Sequence, residues 1–293
     1  MFQKVAARGG LILILLAVVA GEWGCAIRRT VHITPAQPPG LAKEASLAEL
    51  VKDIDAWSGR IDTLTASVDF EPTTVSVYSG VINQYHDVHG FILLKKPSMI
   101  RVIGQAPIVG TSIFDMVSDG DDFRLSIPPQ NKFIVGKTSY HGRPSNSLEN
   151  LRPQHILEAL LIPPIDHAKE SFFSEEAQSA TRSYYIVTIV QPGTSGELSL
   201  SRKIWFDRSD LNISRLELYG LGGVLLEDVQ YANYQDFKGI QYPSAITVDR
   251  PSEGYTLTIG IENATFNQPL PPAKFTLQKP AGATLVDLNG AAE

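Results

Sequence analysis

Residues 90–104 read GFILLKKPSMIRVIG and residues 114–133 read FDMVSDGDDFRLSIPPQNKF. In both, short apolar runs are cut by turn residues: Lys96-Pro97, Asp119-Gly120 and Pro128-Pro129. Proline removes a backbone donor, and an Asp-Gly pair favours a tight reversal. Each break therefore ends a strand. Runs of this kind, with turns every 8 to 12 residues or so, predict a large antiparallel sheet or barrel.

The same rhythm extends in both directions. Upstream, Ile61, Leu64, Ala66, Val68 and Phe70 alternate into a first long strand, and runs at 75–78 and 81–85 follow. Further strands are predicted at 99–103, 112–118, 123–127 and 132–135. After a break the pattern resumes at 184–190, 197–207, 213–219, 224–234, 246–249 and 255–266. Two segments depart from it. Ser46-Leu-Ala-Glu49 is a capping box, and Leu47, Leu50, Val51, Ile54 and Trp57 recur at helical spacing, predicting a helix over 46–58. Ile156, Leu157, Leu160 and Leu161 make a second, shorter helical face, stopped by Pro163-Pro164. No internal repeat or linker divides residues 46–279, so one mostly-β domain is expected there, with 280–293 as an irregular tail.

The N-terminus has a different character. Lys4 and Arg8 precede an unbroken apolar run, Leu11 to Gly21, and then Gly24-Cys25. That layout is a secretory signal over residues 1–24. The run is shorter than the ~20 apolar residues a membrane span needs, so a transmembrane anchor is the weaker reading. Two cuts fit. One follows Gly24 and leaves Cys25, the only cysteine, as a lipidated first residue, although Glu22 and Trp23 are unusual before such a site. The other follows Ala20 and leaves an unpaired thiol in an oxidising compartment, which secreted chains usually avoid. Residues 25–45 are polar and proline-bearing, and read as a flexible tether that has most use beside an anchor.

Composition narrows the function classes. A formal net charge of -6 leaves no basic footprint for nucleic acid. A single cysteine excludes an internal disulfide framework and a multi-cysteine metal site. His86 and His89 are three apart, so on a strand they face opposite sides, and no further ligand is evident. Asp119-Gly-Asp-Asp122 lacks the ligand count of a calcium loop. No nucleophile elbow, zinc-protease, phosphate-loop or dinucleotide motif occurs. No enzymatic activity, metal or cofactor is therefore expected.

The order of elements resembles the LolA and LolB family, which carry and receive outer-membrane lipoproteins. The resemblance rests on a helix running into a long strand over 47–70 (LAELVKDIDAWSGRIDTLTASVDF). It continues in the Gly90-Phe91 strand ending at Lys96-Pro97, the Ile100-Arg101 strand, and the Asp119-Gly120 turn before Phe123 and Pro128-Pro129. The helix near 156–161 falls where the family places a lid. What this implies is a strongly curved antiparallel sheet, an unclosed β-barrel with a helical lid over an apolar cavity. It also implies an anchored envelope lipoprotein, at the periplasmic face of the outer membrane, whose partners are lipid or lipoprotein acyl chains. The alternative is a scaffold lipoprotein gripping an envelope protein. By position and polarity the cavity candidates are Leu50, Ile54, Trp57, Phe91, Leu93, Phe114, Met116, Ile156 and Leu160. Each would look the same as plain core, so whether the cavity is open or filled stays undecided by the residues.

Overall fold

The computed structural model describes residues 42–75, 82–84, 88–106, 110–138, 152–179, 181–193 and 196–290. The expected leader, Cys25, the expected tether up to residue 41, and His86 lie outside them. The first predicted helix is α1 (Leu47–Arg60), and both capping-box bonds form: Glu49 N–H donates to Ser46 Oγ at 3.3 Å, and Ser46 N–H to Glu49 Oε2 at 2.8 Å. The second is α2 (Pro153–Leu160), with proline in its first turn, where no helical partner is lost. Among the described residues no helix is long and apolar enough to cross a membrane.

Fifteen strands form a single sheet among the described residues. They are β1 (Thr63–Val75), β2 (Ile82–Gln84), β3 (Val88–Lys95), β4 (Met99–Gln105), β5 (Ser112–Ser118), β6 (Asp122–Ile127) and β7 (Lys132–Lys137). After α2 come β8 (Ser171–Gln178), β9 (Ser183–Pro192), β10 (Leu198–Asp207), β11 (Ile213–Tyr219), β12 (Leu225–Phe237), β13 (Ile240–Arg250), β14 (Tyr255–Phe266) and β15 (Thr284–Asp287). Two antiparallel meanders, β3 to β7 and β8 to β14, are joined through β1, which pairs with β3 on one side and β14 on the other. The terminal strands β8 and β15 do not meet, so the curved sheet stays open, as expected.

Two edge strands were not legible. β8 reads SFFSEEAQ, with almost no buried side chain and hence no alternation. The tail expected to be irregular contributes β15, held parallel to β7 from Thr284↔Lys132 to Asp287↔Val135. Its recruitment is by backbone pairing, which leaves little trace in side-chain pattern. Between β14 and β15 the chain crosses outside β4, where Lys274 C=O accepts from Arg101 Nη1 at 3.0 Å.

The concave face is the core. Strand after strand turns alternate residues inward: Leu64, Ala66, Val68 and Phe70 from β1, Ile92 and Leu94 from β3, Leu257, Ile259 and Ile261 from β14. A bulge in β14 opposite Ser67/Val68 resets this parity, so Glu262 and Asn263 both face out and Ala264 faces in again.

Gly90 and Gly104 sit opposite each other on β3 and β4 and make room for two rings. A Cβ on Gly104 would lie 2.3 Å from the Phe114 ring, and one on Gly90 would lie 2.6 Å from the Phe70 ring. Phe70 and Phe114 fill that dent, their centroids 6.1 Å apart. Gly104→Ala is expected to cost about 1–3 kcal/mol by overpacking, seen as a lower urea midpoint with an unchanged slope.

Candidate functional site

The two helices lie in the mouth of the curved sheet, and aromatic side chains hold them there. Trp57 of α1 stacks on Tyr242 of β13 with centroids 5.5 Å apart, and meets Tyr234 edge-on at 6.0 Å. Tyr231 and Tyr242 donate their hydroxyls to the carbonyls of Ala159 and Leu160, each at 2.8 Å. These bonds satisfy two of the orphan carbonyls at the end of α2 and tie that end to the sheet floor.

Beside α2 a cleft of about 620 Å³ opens at the mouth. Leu157, Leu161 and Ile162 form one wall, with Leu218 and Leu226 of β11 and β12 also lining it. Pro163-Pro164 stops the helix, so the chain leaves it extended. Arg202 of β10 fixes this extended piece: its Nη2 donates to Pro164 C=O at 2.9 Å and to Glu170 Oε2 at 2.8 Å. Polar groups enter from Lys96, Gln154 and Glu158. Lys96 donates its ammonium to Ser58 C=O at the end of α1, and partial burial holds its pKa below the ordinary lysine value. Burial pushes the Glu158 carboxyl up, against the pull of the Gln154 N–H and the Arg250 charge.

Behind α2 is a buried ionic cluster. Glu227 of β12 is wholly buried and accepts from Arg250 Nη1 of β13 at 2.9 Å. Arg250 Nη2 also donates to Glu253 at 2.6 Å, and His155 of α2 lies 3.0 Å from the Tyr255 hydroxyl and 3.7 Å from Glu253. Burial pushes Glu227 up to about 8; Arg250 pulls it down and nearby Glu158 raises it further. Acid-base hydrolysis needs two carboxylates converging on an accessible space. Here Glu158 reaches the cleft while Glu227 is sealed beneath it.

The sequence-predicted cavity residues divide. Leu50, Ile54, Trp57, Phe114, Met116, Ile156 and Leu160 are brought together, each 7% exposed or less, in the packed concave core. Phe91 and Leu93 are corrected: they face the convex side, while Ile92 and Leu94 face in. The run Phe91 to Leu94 is apolar throughout, so its parity cannot be read from polarity. Leu161, Ile162, Leu218 and Leu226 were missed as cleft residues; the signal was an apolar stretch between the end of α2 and Pro163-Pro164, and GLGGVLL running from the turn into β12.

His89 has partners that sequence reasoning did not find. Its Nδ1 lies 3.1 Å from Asp69 of β1 and 3.8 Å from Glu262, the outward residue at the β14 bulge. All three stand on the convex face, half-exposed, as a polar cluster away from the cleft.

An open, curved and mostly antiparallel sheet with helices packed into its mouth is a fold that other solved bacterial proteins share. The structure is similar to a putative outer membrane lipoprotein-sorting protein domain from Vibrio parahaemolyticus, with a TM-score of 0.50 at 12% identity over 78% of this chain and 94% of that one. It is also similar to a DUF1329 family protein from Desulfovibrio piger, with a TM-score of 0.53 at 14% identity over 78% and 94%. A LolA superfamily protein from Nitrosomonas europaea aligns with a TM-score of 0.48 at 13% identity over 80% and 99%. At such identities the likeness is one of fold. No family model and no curated protein matches the sequence.

Proposed function

We propose that this chain is a non-enzymatic envelope lipoprotein that accepts acyl chains, in lipoprotein or lipid transfer, while anchored through Cys25. The observation that carries this reading is the apolar cleft beside α2, at the open mouth of a sheet whose fold is shared with a lipoprotein-sorting domain. A cleft of this size suits part of an acyl chain, and each buried CH₂ contributes about 0.8 kcal/mol. Lys96 at the rim offers a cation to an anionic head group, and movement of α2 would lengthen the cleft. The filled concave core favours a second reading, a scaffold that holds a protein partner and binds no lipid.

The test is native mass spectrometry of the gently purified chain, followed by titration with a fluorescent fatty-acyl probe. Bound lipid masses and saturable probe binding are expected. Leu161→Arg, which places a charge on the cleft wall, is expected to weaken probe binding at least about tenfold, the loss of two or three buried methylenes. A chain that carries no lipid and shows no probe affinity overturns the acyl reading in favour of the scaffold.

A further inference from the structure

Seven large apolar side chains stand exposed among the described residues, and four belong to one corner of the sheet: Leu198 (68%), Leu221 (82%), Val224 (54%) and Leu226 (36%). The corner is the turn between β11 and β12 together with the start of β10. Arg202↔Leu218 pairing brings the first residues of β10 alongside the turn, whose residues contact that strand. The turn has a defined shape. Gly220 N–H donates to Val224 C=O at 2.9 Å, Gly223 N–H donates to Gly220 C=O at 3.1 Å, and Gly222 and Gly223 take φ of +72° and +75°. Only glycine adopts such angles freely, so the backbone is held by its own bonds while its aliphatic side chains project.

Charge is kept off the turn itself, and the exposed acid Glu197 stands beside it, next to Leu198 at the start of β10. Residues 219–226 read YGLGGVLL, with no acid or base. The flanking acids Glu217 and Glu227 are both buried. Nor is the tip isolated from the cleft, because Leu218, Tyr219 and Leu226 line it. A continuous apolar path therefore runs from an exposed hairpin tip to the wall of the cleft.

We propose that the β11–β12 tip docks this protein onto a lipid bilayer, with Leu221 and Val224 inserted among the acyl chains and the cleft mouth opening at that surface. The proposal rests on the acyl-carrier reading and adds where the chain would enter. Lipid is favoured over a protein partner by area and by continuity. A stable protein interface buries about 800 Å² on each side, more than four aliphatic side chains on a turn supply, whereas a narrow uncharged tip needs only depth. The reach of the anchor permits it. Lys43 N–H donates to Arg208 C=O at 2.7 Å, so the tether joins the domain at the far end of β10 and β11. That end is roughly 30 Å from the tip at ~3.3 Å per residue. A tether of about 20 residues extends to roughly 60 Å.

The test places an environment-sensitive fluorophore at Leu221→Cys in the full-length Cys25→Ser chain. A control carries it at Asp236→Cys, toward the other end of β12. Vesicles of phosphatidylethanolamine and phosphatidylglycerol are added, with and without a lipid-borne quencher. The readout is local to the labelled position, so membrane binding by the N-terminal apolar run cannot imitate it. The expected result is a blue shift and quenching at position 221 and neither at 236. Val224→Asp in the same chain is expected to lower the inserted fraction roughly a hundredfold, the cost of an acid in hydrocarbon. A probe at 221 that stays aqueous, or is shielded without vesicles as protein concentration rises, overturns the proposal. Tip insertion without affinity for acyl probes in solution would sink the carrier reading and leave the docking surface standing.

Discussion

Above about pH 8 Arg250→Ala is expected to destabilise the fold by about 3–5 kcal/mol, among the largest single-residue effects here, because there it strips the partner from a wholly buried carboxylate. Glu227 already holds its proton up to about pH 8 in the native protein, through burial above all. The unfolded chain releases that proton near pH 4.5. Between those values the native state binds more protons than the unfolded one. The stability Glu227 contributes is therefore complete below about 4.5 and is lost as pH rises through about 8. Loss of Arg250 deepens this, since the carboxylate must then ionise unpaired or stay protonated. Urea denaturation at pH 6 and pH 9 measures both effects, with the larger Arg250→Ala deficit at the higher pH. Glu227→Gln is expected to flatten the decline across that window. An unchanged pH slope in Glu227→Gln would show that the titrating group lies elsewhere.

Tyr242→Ala is expected to cost a similar amount, about 3–5 kcal/mol for a buried aromatic. Tyr242 is 1% exposed, stacks on Trp57, touches Phe266 with centroids 5.2 Å apart, and bonds Leu160. It joins α1, the sheet and α2 at one point, so its removal leaves a cavity where three elements meet. Tyr242→Phe separates packing from the hydrogen bond. The Leu160 carbonyl is left unpaired at about 1–3 kcal/mol, and hydrogen exchange is expected to quicken in residues 153–161 before it quickens in β9 and β10. Uniform acceleration would mean that α2 does not move as a separate unit.

Much of this architecture was readable from local pattern. Ser46 and Glu49 announced α1 because a capping box is a contact between near neighbours. The strand from Tyr255 to Phe266 was read to the residue, because its alternation is regular up to the bulge. Pattern failed where it carried no contrast. Phe91 and Leu93 were assigned to the wrong face because apolar residues occupy both sides of that strand. β8 and β15 were passed over because edge strands are recruited by backbone groups that every residue shares. The cleft walls were read only as parts of a helix end and of strands, since Leu161, Ile162 and Leu226 meet only after chain reversals.

By itself, then, the sequence determined most of the element types, the antiparallel rhythm, the single cysteine and the want of any catalytic motif. Those features are local, encoded by residues within one or two turns of each other. Only the tertiary structure decided that Leu50, Ile54 and Trp57 fill the concave face, leaving the cleft to other side chains. The same holds for the Glu227–Arg250 pairing beneath α2 and for the apolar path from the cleft to the hairpin tip. Each depends on which distant strands become neighbours, and on how closely side chains fill the space between them. A hydrophobic residue looks the same in a sequence whether it ends in a core, a cleft or a membrane.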